Sequence, residues 1–148
     1  MEINRQKLVL LMEPTFTGHT YGIGDETDKP ALGSAPDKWV KSDCSGFVRW
    51  LLFGAFGLKL PDGSWNQHAW CKKKALKECN YSLFGQATDS ILRIAFIAPV
   101  KGRAGHVWLV CSGRTIESHW PNGPSRRAWD TPVLIKNVAA CYELGHLV

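Results

Sequence analysis

The hydrophobic spacing of this 148-residue chain changes period part-way along it. In the first half, apolar residues recur at helical intervals. Residues 4–12, 43–56 and about 65–78 read as helices. In the second of these, Phe47, Val48, Leu51, Leu52 and Phe56 fall on one face and predict a core contact. Ser42 or Asp43 is placed to cap its start, and Gly57 ends it. In the second half the runs shorten. ILRIAFIAPV (91–100), AGHVWLVCSG (104–113), RTIESHW (114–120) and TPVLIKNV (131–138) read as strands. Helices first and an antiparallel sheet second predict an α+β fold.

The turn chemistry of Cys111-Ser112-Gly113-Arg114 predicts a hairpin between the second and third strands. If Ser112-Gly113 is a two-residue turn, the numbers of opposed residues sum to 225. His106 then faces His119, and Trp108 faces Glu117. Strict alternation puts His106, Trp108 and Val110 on one face, and Val107, Leu109 and Cys111 on the other.

Length and composition predict one domain over residues 1–148: 45% hydrophobic and 21% charged residues are globular proportions. No run reaches the length of a membrane-spanning helix, so no integral membrane segment is expected. The opening MEINRQKLVLLMEPTF has only five consecutive apolar residues, Leu8 to Met12, and reads as lacking a Sec signal. The net charge of +5 is spread out apart from CKKKALK (71–77), which reads as a solvated helix face. It would attract a polyanion such as an anionic cell envelope; no nucleic-acid motif is present. Five cysteines and no signal argue against a disulfide framework, and most of the five read as small buried hydrophobes. His68, Cys71 and Cys79 match no zinc spacing, so neither metal nor cofactor is expected. Residues 17–40, rich in Gly, Pro, Asp and Thr, read as a long loop, and loops of that length in compact domains tend to be functional or disordered. Of the tryptophans, Trp50 and Trp108 read as core, and Trp65, Trp70 and Trp120 as candidate groove edges. His19, His68 and His146 read as surface or loop residues, and Arg126-Arg127 as a solvated pair.

Cys44, in KSDCSGFVRWLL, stands at the first turn of the second helix. There a thiol meets the positive end of the helix dipole and backbone N–H groups without intrahelical partners. Both favour thiolate, and the same N–H groups suit an oxyanion forming beside the sulfur. A thiolate nucleophile needs a base on a rigid neighbour, and His106 heads an otherwise apolar strand. The imidazole needs an orienting partner in turn. Glu117 and His119 lie on the same face of the next strand, and either can serve.

SDCSGFVRWLL, GHVWLV and TIESH, in that order, resemble the NlpC-type peptidoglycan peptidases, papain-like enzymes of bacterial cell walls. Residues 43–48 match that family's Asp-Cys-Ser-Gly-Phe-Val motif in full, and His106 follows glycine and precedes valine as the family histidine does. Tyr21, in YGIGDE, resembles the family's loop tyrosine, and GLKLPDGSWNQ (57–67) its Gly-x-x-Leu-Pro segment. The likeness covers residues 21 to about 120. The loop between Tyr21 and Cys44 is longer than usual, and RIAFIAPVKGRAGHV replaces the common Pro-Gly-Asp turn. That version looks more like compact amidase effectors of type VI secretion; ESHWPNGPSRRAW also resembles phage-encoded members.

The resemblance implies a papain-like NlpC-type fold and hydrolysis of an amide bond in the peptidoglycan stem peptide, of the D-Glu to diaminopimelate type. It assigns Cys44 as nucleophile and His106 as base. Glu117, which follows Ile116, takes the third slot by motif, whereas hairpin geometry points to His119; a diagonal neighbour is also within reach and a carboxylate stabilises the imidazolium, so Glu117 is expected. Tyr21, Asp43 and Ser45 would line the substrate groove or hold the oxyanion, and Arg126-Arg127 would suit a stem-peptide carboxylate. The implied setting is the bacterial wall, reached by phage lysis or injection or by secretion. The protein is expected as a monomer, with an immunity protein or a phage particle as its potential partner. Three rival readings remain: a wall-binding module without turnover, a papain-like protease or acyltransferase on another substrate, and a virion component. Pairing of Cys44 with His106 predicts an acid limb in the pH–rate profile.

Overall fold

The structure is a computed structural model that describes residues 1–22 and 29–148. Strand β1 (Glu2–Ile3) leads into helix α1 (Arg5–Met12), whose Asn4 cap accepts a hydrogen bond from the Lys7 N–H at 3.1 Å. The expected loop follows. It holds β2 (Thr20–Tyr21) and a 3-10 turn at Pro36–Lys38, and residues 23–28 of it lie outside the described residues. Strand β3 (Lys41–Ser42) pairs parallel with β2, Tyr21 beside Ser42, and runs directly into helix α2 (Cys44–Phe56).

Asp43, one of the two anticipated caps, takes the α2 N-cap, and Gly57 closes the helix in the left-handed conformation with φ 70°. Phe47, Val48, Leu51 and Leu52 are wholly buried, and Phe56 packs against the same cluster. Each such side chain stabilises the fold by roughly 1.5–3 kcal/mol.

The sheet has six strands in the order β1-β8-β4-β5-β6-β7. They are β4 (Ile91–Ile97), β5 (His106–Cys111), β6 (Arg114–His119), β7 (Gly123–Ser125) and β8 (Val138–Leu147), with β1 on the far edge. All pairs are antiparallel except β1 with β8. Helix α2 packs over β5 and β6, where Ile94, Phe96, Val107, Leu109 and Ile116 join its apolar face. The opposite face carries Ala95, Ile97, Trp108, Val110 and Cys141 under Tyr81 and Leu134, which come from helices α4 (Tyr81–Phe84) and α5 (Pro132–Asn137). This is the expected α+β fold, with the alternation along β5 as read.

Ser112 (φ 51°) and Gly113 (φ 77°) both have left-handed backbones, as a two-residue type I′ turn requires. The register follows the sum of 225: Leu109 opposes Ile116, Val110 opposes Thr115, and Cys111 opposes Arg114. The ladder ends at Leu109 with Ile116. Beyond it β6 is held by β7, Glu117 opposite Ser125 and His119 opposite Gly123.

Two assignments need correction. Residues 131–138 are not a strand. Pro132 at the first helical position presets φ, and Pro132–Asn137 forms the short helix α5. The missing strand is β8, next to the centre of the sheet, which the sequence reading passed over. Bulges in its pairing with β4, at Leu92/Arg93 and Phe96/Ile97, break the two-residue period that would have marked it. Helix α3 (Ser64–Lys73) also ends before residue 78, because Glu78 bridges to Tyr142 of β8. Among the described residues no helix is long and apolar enough to cross a membrane.

Gly123 fastens β2 to the sheet. Its φ is 72°, and a Cβ there would lie 2.7 Å from the Thr20 carbonyl carbon and 2.9 Å from the Tyr21 nitrogen. Gly123→Ala should therefore lower Tm by roughly 5 °C or more, through backbone strain and a main-chain clash. A thermal melt within one degree or so of the parent would refute this close approach.

Candidate active site

The start of α2 is held from three sides. Asp43 Oδ1 accepts the Gly46 N–H at 2.7 Å, and a Cβ on Gly46 would meet that oxygen at 2.6 Å, so this position suits glycine. Ser42 Oγ donates to Ser118 Oγ at 3.2 Å, and Ser118 Oγ donates to the Ser42 carbonyl at 3.0 Å, tying β3 to β6. Buried Gln67, on α3, donates from Nε2 to the carbonyls of Ser45 and Pro61, both at 3.0 Å. The cap takes Gly46's N–H and the first helical bond takes Phe47's, at 3.1 Å from the Asp43 carbonyl. The N–H groups of Cys44 and Ser45 are thereby left outside the helix ladder.

Cys44, 7% exposed, meets His106 at the start of β5. His106 Nε2 lies 2.8 Å from Glu117 Oε1, so Nδ1 is the ring nitrogen left for the Cys44 sulfur. The ring stacks on Trp108, centroids 5.4 Å apart and planes 18° from parallel. Trp108 Nε1 donates to Tyr81 Oη at 3.2 Å, and Tyr81 Oη donates to the Trp129 carbonyl at 2.6 Å. The imidazole is thus fixed at its face and at Nε2.

Glu117 is fully buried and ionic. Arg127 grips it twice, Nε to Oε2 at 2.9 Å and NH2 to Oε1 at 2.6 Å. A buried carboxylate without such partners would be costly, and this one has three charge-assisted hydrogen bonds. The two candidates for the third slot therefore differ in position: Glu117 reaches the ring of His106, whereas His119 Nδ1 lies 3.2 Å from the Trp120 carbonyl. Burial holds the His119 imidazole below its ordinary value, and the Arg127 charge acts the same way.

Arg127 is not the solvated residue that its sequence context predicts. No periodicity marks it, because it lies in an irregular segment that folds back on β6, its N–H donating to Thr115 Oγ1 at 2.7 Å. Tyr21 lies beside the nucleophile position. Burial, then the charges of Cys44 and Asp43, push its phenol up to about 12, while a hydrogen bond from the Cys44 backbone opposes them. Trp120 stands edge-on to Tyr21 at 6.1 Å and is 71% exposed. Burial raises the Asp43 carboxyl above its ordinary value, against the Gly46 hydrogen bond. His68 Nε2 is paired with Tyr142 Oη at 3.0 Å.

The charges of the pair set a pH window for stability. For His106, burial is the largest influence and disfavours imidazolium; hydrogen bonds to Cys44 and Glu117 outweigh it and raise the ring from 6.5 to about 9. For Glu117, burial alone would raise the carboxyl; hydrogen bonds from His106 and Arg127 bring it from 4.5 down to about 2. The raised histidine stabilises fully below pH 6.5, and that contribution is lost as pH climbs through about 9. The depressed carboxyl stabilises fully above pH 4.5, and that contribution is lost as pH falls through about 2. Tm should peak between pH 4.5 and 6.5 and decline toward pH 9. His106→Gln should remove the alkaline decline; the same decline in both proteins would assign it to other groups.

No protein-family profile and no curated protein matches the chain. Solved structures do. A Staphylococcus aureus protein described as similar to a lipoprotein of the NLP/P60 family aligns with TM-score 0.62 and 19% identity. The alignment covers 99% of this chain but 44% of that one, so this chain spans less than half its length. The NlpC/p60 domain of the peptidoglycan hydrolase SagA aligns with TM-score 0.57 and 18% identity over 95% of this chain and 98% of its own. RipD of Mycobacterium tuberculosis, described as a non-catalytic NlpC/p60 protein adapted to peptidoglycan binding, aligns with TM-score 0.57 and 19% identity over 94% and 95%. At this identity the likeness speaks for architecture, and the helix-borne thiol set against a curled sheet has the NlpC/p60-type fold.

Proposed function

We propose that the protein is a thiol hydrolase of the bacterial cell wall that cleaves an amide bond in the peptidoglycan stem peptide. One observation carries the hydrolytic part: the His106 ring, bound through Nε2 to a buried, Arg-clamped Glu117, neighbours Cys44 at a helix N-terminus. Wall binding alone does not require a histidine set between a thiol and a carboxylate, which favours turnover. The wall as substrate rests on the SagA and RipD likenesses and on the SDCSGFV motif.

In this reading Cys44 attacks the amide carbonyl as thiolate. The N–H groups of Cys44 and Ser45, with the Tyr21 hydroxyl beside them, stabilise the oxyanion. His106 as imidazolium passes its proton from Nδ1 to the leaving amine, and as neutral base it then activates the water that hydrolyses the thioester. Glu117 keeps the ring oriented and offsets its charge. Because the imidazolium is the acid, kcat/KM should fall as pH rises through about 9.

Purified sacculi incubated with the protein and analysed by mass should release muropeptides cut between D-Glu and diaminopimelate. Binding to sacculi without release would favour a role like that described for RipD. Turnover of other amides or esters with sacculi untouched would keep the mechanism and reject the substrate.

A further inference from the structure

Away from Cys44, two other thiols face each other. The Sγ atoms of Cys79 and Cys141 lie 3.0 Å apart in hydrogen-bond contact, and both cysteines are free. Their backbones are paired as neighbouring strands: the Cys79 N–H donates to the Cys141 carbonyl at 2.9 Å, and the Glu143 N–H to the Lys77 carbonyl at 2.9 Å. That pattern flanks the Glu78–Tyr142 bridge and sets Cys79 directly opposite Cys141. Opposed residues of this kind have Cα atoms about 5.5 Å apart, inside the span of a disulfide.

The surroundings suit thiol chemistry. Cys141 is buried and Cys79 half-buried, and both line a cavity of about 570 Å³ together with Glu78, Asn80, Tyr81 and Val138. Arg93, 2% exposed, lies beside Cys79; its two terminal nitrogens bind Asp89 at 3.1 and 2.7 Å, while its buried Nε has no hydrogen-bond partner among the described residues. The hydrogen bond from Cys141 holds the Cys79 thiol below its ordinary value, against burial, and Arg93 acts in the same direction. Cys141 is shifted upward by the same hydrogen bond and by burial. Of the pair, Cys79 is the less buried and the more readily ionised sulfur, with a protonated partner behind it.

We propose that Cys79 and Cys141 form a thiol-modification site that reacts with low-molecular-weight disulfides such as oxidised glutathione and closes into an intramolecular disulfide. The Cys79 thiolate attacks one sulfur of glutathione disulfide, forming a mixed disulfide and releasing one glutathione thiolate. Cys141 then loses its proton and attacks the Cys79 sulfur, forming the protein disulfide and expelling the second glutathione. Two protein thiols are oxidised by two electrons, and one glutathione disulfide is reduced to two thiols, which carry away the two protons. The new bond would fasten residues 77–79 to β8.

This proposal is independent of the hydrolase reading, because its readout is mass. The whole chain is incubated with oxidised glutathione at neutral pH, alkylated, digested without reduction and mapped. The expected result is a linked Cys79–Cys141 peptide, a loss of two hydrogens from the intact mass, and a Tm higher by roughly 5–10 °C than that of the reduced protein. Cys141→Ser should stop at a glutathione adduct on Cys79, and Cys79→Ser should leave Cys141 free. Full alkylation of both residues in the wild-type chain after treatment would overturn the proposal. So would adducts only at Cys44, or a glutathione adduct on Cys141 in the Cys79→Ser chain as readily formed as the one on Cys79.

Discussion

Cys44→Ala is expected to reduce hydrolysis of sacculi by roughly 10⁴-fold or more, leaving a folded protein. The large loss follows because no other group offers a nucleophile to the same carbonyl beside the N–H groups that the α2 start leaves outside its ladder. The fold should survive because the change removes one sulfur from the first turn of a helix whose buried face is made by Phe47, Val48, Leu51 and Leu52. Tm should move by only a few degrees. The variant has a second readout. The hydrogen bond to Cys44 is among the influences that raise His106, so the ring in Cys44→Ala should titrate lower than in the parent, as followed by NMR. Turnover near the parental rate would remove the proposed function altogether. By contrast, Cys71 lies in the core, where burial pushes its thiol up to about 12, and Cys71→Ala should cost stability rather than rate.

The second large effect separates two neighbours on one strand. Glu117→Gln should lower kcat/KM by about 10²–10⁴-fold, while His119→Gln should change it only a few-fold. Gln can still meet the ring, but it carries no charge to offset the imidazolium, and it leaves Arg127 without its ion pair. Some loss of stability is expected from the unpaired guanidinium, so rate alone is not sufficient. The pH profile distinguishes positioning from unfolding: without the carboxylate the alkaline limb should move below about 9. A crippled His119→Gln beside a nearly unchanged Glu117→Gln would mean that the ring takes a different partner during turnover.

These two residues also show where local pattern stops being informative. The hairpin register was legible from Ser112-Gly113 alone, because a two-residue turn with both backbones left-handed permits one pairing. Extending that register placed His119 opposite His106. The structure instead ends the β5–β6 ladder at Leu109 with Ile116, and β7 takes over the far end of β6. Glu117, the diagonal neighbour on the same face, reaches the His106 ring instead, while His119 pairs with Gly123 of β7, a strand that the hairpin alone does not reveal.

What the sequence by itself determined was local. The capped start of α2 with Cys44 in its first turn, the apolar face behind it, the hairpin and the α+β order all follow from turn chemistry and hydrophobic period, which act between residues a few positions apart. Tertiary structure decided what depends on distant segments meeting. Strand β8 was hidden because bulges blurred its alternation. Arg127 looked solvated because nothing near it in the chain revealed the buried carboxylate it would clamp. Cys79 and Cys141 looked like unrelated core cysteines at a separation of 62 residues. Buried charges and paired thiols are stable only with their partners in place, and those partners are supplied by the packing of the sheet rather than by neighbours in sequence.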